Sequence, residues 1–167
     1  MTKNNILNKY YDNDRASKVI YGAILISAYL ITQSHSDGST ALSLAFGTLF
    51  AAVAIVLAEV YSDIIGRTIK HKRKLTNHER HEIEKDSLAI VSVSIWPSVM
   101  FFLSHLGLFS VQFAFDISYL LLIGVLVIFS YIASRLSGRS KIKSLMWSLI
   151  ISIIGICVIL VKYNLGH

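Results

Sequence analysis

Residues 39–86 read STALSLAFGTLFAAVAIVLAEV, then YSDII, then GRTIKHKRKLTNHERHEIEKD. The first part has the makings of a long apolar helix. Ser39 or Thr40 can start it, because a hydroxyl at an N-cap accepts a backbone N–H that the first turn leaves unpaired. A helix running on to Gly66 would be about 42 Å long at 1.5 Å per residue. A bilayer's hydrocarbon core is only ~30 Å thick, so a span over about 40–65 projects from the membrane or tilts. Ala45, Gly47, Ala51, Ala52, Ala54 and Ala58 give it small faces on which neighbouring helices can approach closely. Near its end it acquires two carboxylates, Glu59 and Asp63, and it then passes into a basic segment, 66–86.

The rest of the chain forms apolar runs around that stretch. Of 167 residues 54% are hydrophobic and 16% charged, and the mean hydropathy is +0.59. A soluble domain carries roughly 25% charged residues to cover its surface. The expected fold class is therefore all-α: a single polytopic membrane bundle over residues 1–167. Residues 1–18 form a polar lead without a cleavage signal. Spans are expected at about 19–33, 40–65, 87–108, 113–134 and 144–161. The third contains Trp96 and Pro97, where a kink is expected because proline removes a backbone donor. Ser92, Ser94 and Ser98 stand near enough to satisfy freed backbone groups.

Basic residues fix an orientation. The lead carries Lys3, Lys9, Arg15 and Lys18, the 66–86 segment seven more, and the link RLSGRSKIK another four, whereas the other two links have none. With five spans this alternation puts the N-terminus and all three basic segments in the cytoplasm and the C-terminus outside. Four spans would split the basic segments between the two sides. The formal net charge of +6 then speaks for anionic lipid at the cytoplasmic face of a cell membrane rather than for nucleic acid. The lone Cys157 lies inside an apolar run, which excludes a disulfide framework and a cysteine metal site. There is no glycine-rich phosphate loop, serine elbow or Cys–His pair, so no enzyme and no cofactor is expected.

Three constellations can carry chemistry. Glu59, Ser62 and Asp63 come first. The two carboxylates are four apart on one helix face, where like charges raise proton affinity and attract a cation. They suit an ion pathway if they lie in the membrane. At the interface they would be solvated and face Arg67 and Lys70. Second are His78, His81 and Glu82 with Glu79 beside them, a mixed imidazole–carboxylate set suited to Zn²⁺, Fe²⁺ or Mn²⁺. H-E-R-H-E is not the zincin pattern, which sets its histidines four apart. The alternative is a solvated, salt-bridged helix leading into the third span, with Asp86 or Ser87 as the cap. Third is a thin outer ring of His35, Asp37, His105, Asp116 and His167, in which His105 and Asp116 are expected to pair across a hairpin.

Two resemblances add to this reading. VIYG at 19–22, LAEVYSDIIGR at 57–67 and GICVILVKYNLGH at 155–167 resemble a family of small bacterial multi-pass membrane proteins. The architecture is also similar to the vacuolar iron transporter family: five spans, a cytoplasmic N-terminus, and a long second helix running into a polar segment. Glu59, Tyr61 and Ser62 resemble that family's Glu-Tyr-x-Ser stretch, although Val60 intervenes here. The resemblance implies a divalent-cation transporter of the iron or manganese type. Glu79, Glu82 and Glu84 would collect metal, which is substrate and not cofactor. The first span lacks the family's acidic residue, and the second lacks its methionine. The competing expectation is a non-catalytic accessory or scaffold protein whose basic face binds anionic lipid or a partner. Self-association into an oligomer is expected in either case.

Overall fold

The structure is a computed structural model. It describes the backbone of residues 3–36 and 38–165, and the side chains from Arg15 onward except residue 37 and most of those after 151. Among the described residues six helices follow one another: α1 Lys3–Ser34, α2 Ala41–His71, α3 Asn77–Ser87, α4 Ala89–His105, α5 Val111–Leu136 and α6 Lys141–Leu165. No strand occurs among the described residues. Four helical stretches there are long and apolar enough to cross a membrane: Arg15–Ser34, Ala41–His71, Asn77–His105 and Val111–Leu136. The fifth expected span, 144–161, falls in α6, where most side chains beyond 151 lie outside the described residues.

α2 starts as its sequence demands. Thr40 is the N-cap, and its hydroxyl accepts from the Ser43 N–H at 3.2 Å. The helix runs five residues past Gly66, to His71, which makes it about 46 Å long. Lys72 stops it by turning left-handed at φ 50°. The polar segment is therefore not one helix. A turn over 72–76 leads to α3, which opens on a capping box. The Thr76 hydroxyl accepts from Glu79 N, and Glu79 Oε2 accepts from Thr76 N at 2.8 Å. Each side chain satisfies a donor that the first turn would otherwise leave bare.

The junction of α3 and α4 corrects an expectation. Neither Asp86 nor Ser87 caps α4. Leu88 is the N-cap, in helical geometry and without a side-chain bond. The chain hardly leaves the helix there, with Leu88 N donating to Glu84 O and Val91 N to Leu88 O, so there is little for a cap to do. Asp86 and Ser87 are buried instead. Within α4 the serines back-bond to Ala89, Val91 and Ser94 carbonyls. None of these is the Val93 carbonyl that Pro97 leaves without its usual donor.

One apolar core joins the helices. α1 contributes Val19, Ala23, Ile26 and Leu30, α2 contributes Leu44, Ala45 and Ala52, and α4 contributes Val93 and Phe101. α5 adds Ala114, Phe115, Leu122 and Leu126. Phe101 and Phe115 meet edge to face at 4.8 Å. α2 leans mainly on α4, α1 mainly on α5, and α6 lies along α5. Two glycines set the closest approaches. A Cβ built on Gly22 would lie 2.9 Å from Ile90 Cγ2 and 3.2 Å from Ile90 Cα. One built on Gly47 would overlap the Tyr29 hydroxyl. The small residues of α2 divide: Ala45 and Ala52 face inward, while Ala54 and Ala58 are exposed.

The bundle has two unlike ends. Arg15 and Ala16 of α1, Ala89 of α4, and Ile132 and Leu136 of α5 line one groove. Lys18 of α1, Glu59 and Asp63 of α2, and Ile83 and Asp86 of α3 line an adjacent cleft. These surfaces mark one end. Every lysine and arginine whose side chain is described belongs to that end or to its links. At the other end Tyr119 of α5 approaches Ser34 of α1, and the described residues there include His35 and His105 but no Lys or Arg.

Candidate functional site

Glu59 and Asp63 do lie together on one face of α2. What they face is α1. Lys18 Nζ donates to Glu59 Oε1 at 2.6 Å and also to Asp63 Oδ2. The Lys18 side chain is 11% exposed, against 22% and 32% for the two carboxylates. Half-buried charges are stable only when paired and hydrogen-bonded, and the ammonium supplies both conditions for two carboxylates at once. The like-charge repulsion that the i, i+4 spacing implies is thereby removed. Arg67 lines the same cleft, with Ser17, Tyr21 and Asp86. The cleft has a volume of about 440 Å³.

Lys18 is the residue that reading the sequence missed. It counts there as one more cation of the lead. Its signal was depth: it stands immediately before the apolar run of α1, as Glu59 and Asp63 stand at the end of the apolar run of α2. In an antiparallel hairpin those two depths coincide. Ser62 does not join the site. It is exposed, as is Tyr61 at 68%, so the Tyr–Ser part of the iron-transporter resemblance points away from α1.

The second constellation is dispersed. His78 Nδ1 approaches Glu82 at 3.5 Å and His81 Nδ1 approaches Glu84 at 3.9 Å, with both imidazoles at least 80% exposed. Each histidine thus keeps to a different carboxylate. Glu79 is committed to structure. Its oxygens take Arg73 Nη2 at 2.6 Å, Arg73 Nη1 at 2.9 Å and the Thr76 hydroxyl at 3.0 Å, besides the Thr76 N–H. No group of three or more His, Cys, Asp or Glu that could hold a metal occurs among the described residues.

The outer ring is likewise spread out. His35 turns back on its own helix, with Nδ1 2.9 Å from Ile31 O. Asp116 takes the Gln112 side-chain amide at 3.2 Å, within α5. His105 is exposed at the end of α4. Asp37 and His167 lie outside the described residues.

What remains is a strongly basic end. Lys70, Lys72, Lys74, Arg80, Lys141 and Lys143 are exposed there. Arg139 lies over the Trp147 ring at 4.4 Å, a cation–π contact that fixes the start of α6. Comparison with protein-family models, with curated proteins and with solved structures finds no match for this chain.

Proposed function

We propose that this chain is a multi-pass protein of the cell membrane with a non-catalytic accessory or scaffold role, whose basic end adheres to anionic lipid on the cytoplasmic side. The observation that carries this reading is the sorting of charge: the described lysines and arginines gather at one end of an otherwise apolar bundle. Cations beside an anionic leaflet gain about 1 kcal/mol each. Five spans, with α6 as the fifth and the N-terminus in the cytoplasm, complete the proposal. Copies of the chain would associate through the outward small residues of α2, Ala54, Ala58 and Gly66.

The test uses the full chain in nanodiscs of phosphatidylglycerol or of phosphatidylcholine. A higher Tm is expected with the anionic lipid, and the difference should shrink as salt screens the charges. Replacing Lys70, Lys72 and Lys74 by Gln should remove part of it. Equal Tm values in the two lipids would sink the reading.

A second reading is favoured by the inward aim of Glu59 and Asp63. In it the α1–α2 cleft passes a divalent cation of the iron or manganese type, and Lys18 is the resident counter-ion that the metal must displace. Calorimetric titration with Mn²⁺ or Fe²⁺ should then show binding in Lys18→Met and none once Glu59→Gln is added. A Lys18→Met protein that binds neither metal would remove it.

A further inference from the structure

We infer that the groove between α1, α4 and α5 at the basic end holds a single anionic phospholipid, its phosphate on Arg15 and part of one acyl chain along the groove. This deepens the lipid-binding reading above and rests on it. The groove has a volume of about 350 Å³. Its walls are Val19 of α1, Ser92 of α4, and Phe129, Ile132 and Leu136 of α5. Apart from one hydroxyl these side chains are apolar, and Ile132 on the groove wall is exposed. Arg15 stands one turn before Val19 on the same face of α1 and is exposed. Among the described residues no carboxylate pairs with it.

The chemistry of the two parts selects the occupant. A guanidinium binds a phosphate oxygen pair in a fixed, bidentate geometry. An apolar slot directly beneath it accepts the chain that hangs from that phosphate. Arg135 is exposed and donates to the Arg139 carbonyl at 2.8 Å, which leaves Arg15 as the cation at the groove's mouth. A zwitterionic lipid would bring a positive choline to that mouth. A net-anionic headgroup brings none, and charge complementarity therefore favours it.

The general adhesion proposed above needs only the exposed lysines of the cytoplasmic links. The groove site needs Arg15 and an open slot. Native mass spectrometry of the detergent-solubilised full chain, titrated with phosphatidylglycerol or phosphatidylcholine, separates the two. Wild type should retain one phosphatidylglycerol in preference to phosphatidylcholine. Arg15→Gln should weaken that retention by about tenfold, the loss of one charge-assisted contact. Ile132→Trp fills the slot and should abolish it. Both variants should keep the Tm difference between anionic and zwitterionic nanodiscs, which shows them folded and leaves the general reading intact. Wild-type retention of phosphatidylglycerol by either variant overturns the groove site. So does equal retention of the two lipids by wild type. Loss of the nanodisc difference in wild type overturns the underlying reading instead.

Discussion

At the scale of single residues, Lys18 is a buried ammonium that serves two carboxylates at once. Removing one partner of a fully buried pair costs 3–5 kcal/mol, while exposed pairs are worth under about 1 kcal/mol. This trio lies between those limits, so Lys18→Met should lower stability by about 2 kcal/mol. Adding Glu59→Gln and Asp63→Asn to that variant should return much of the loss, since no uncompensated carboxylate then remains. Thermal unfolding of wild type, Lys18→Met and the triple variant in one detergent checks this. A triple variant no better than Lys18→Met alone would show that the trio is packing and not electrostatics. The carboxylate pair itself was legible in the sequence, because i and i+4 must share a helix face. Its partner was not, because no periodicity within α1 says which face of that helix turns toward α2.

At the scale of elements, the helices were legible and their edges were not. Apolar runs gave α2, α4, α5 and the apolar part of α1, whose helix in fact reaches back to Lys3, and left the start of α2 between Ser39 and Thr40, of which Thr40 is the cap. The segment 66–86 carries no apolar period, so the break at Lys72 and the restart at Thr76 had no signal beyond T-x-x-E at Thr76–Glu79. That signature makes a comparison between two substitutions. Thr76→Ala removes the cap and should cost about 1 kcal/mol locally, seen as faster hydrogen exchange over Asn77–Arg80. Arg73→Ala removes only an exposed ion pair to the same Glu79 and should change exchange there far less. Equal effects would mean that the turn is held by Arg73.

Helix approach gives a second test at this scale. An added methyl at Gly22 meets the backbone of Ile90, which cannot step aside, so Gly22→Ala should cost about 1–3 kcal/mol by overpacking. At Gly47 the obstacle is the tip of Tyr29, which can be removed. Gly47→Ala should destabilise, and Tyr29→Phe should restore most of the loss. Unfolding midpoints of both glycine variants, with and without Tyr29→Phe, distinguish the cases. Rescue of Gly22→Ala by Tyr29→Phe would contradict the packing described for both.

At the scale of the whole molecule, the sorting of charge was the most legible property of all. Counting Lys and Arg link by link needs no knowledge of packing, and the helices then bring those links to one end. The site was legible only in part. Glu59 and Asp63 stayed together. Ser62 and the histidines dispersed, because a shared stretch of sequence does not make a shared face of a helix. The prediction at this scale concerns salt. In phosphatidylglycerol nanodiscs the Tm should fall as ionic strength rises, and in phosphatidylcholine it should stay nearly flat. Parallel curves would count against adhesion through the basic end.

The bare turns at the opposite end have a consequence for how the chain reaches its place. The link between α1 and α2 reads HSDGST at 35–40, and that between α4 and α5 reads LGLFS at 106–110; neither carries Lys or Arg. Carrying a lysine or arginine through the middle of a bilayer costs about 2.5–3.5 kcal/mol on insertion scales. These two loops pay no such toll. Under the proposed orientation, each of the pairs α1–α2 and α4–α5 would cross as a ready-made hairpin, tip first, with its charged feet left on the side of synthesis. A lysine placed at Ser36 or Ser110 would burden the leading tip of one hairpin and not the other, and the order of biogenesis would be written in which of the two variants fails to insert.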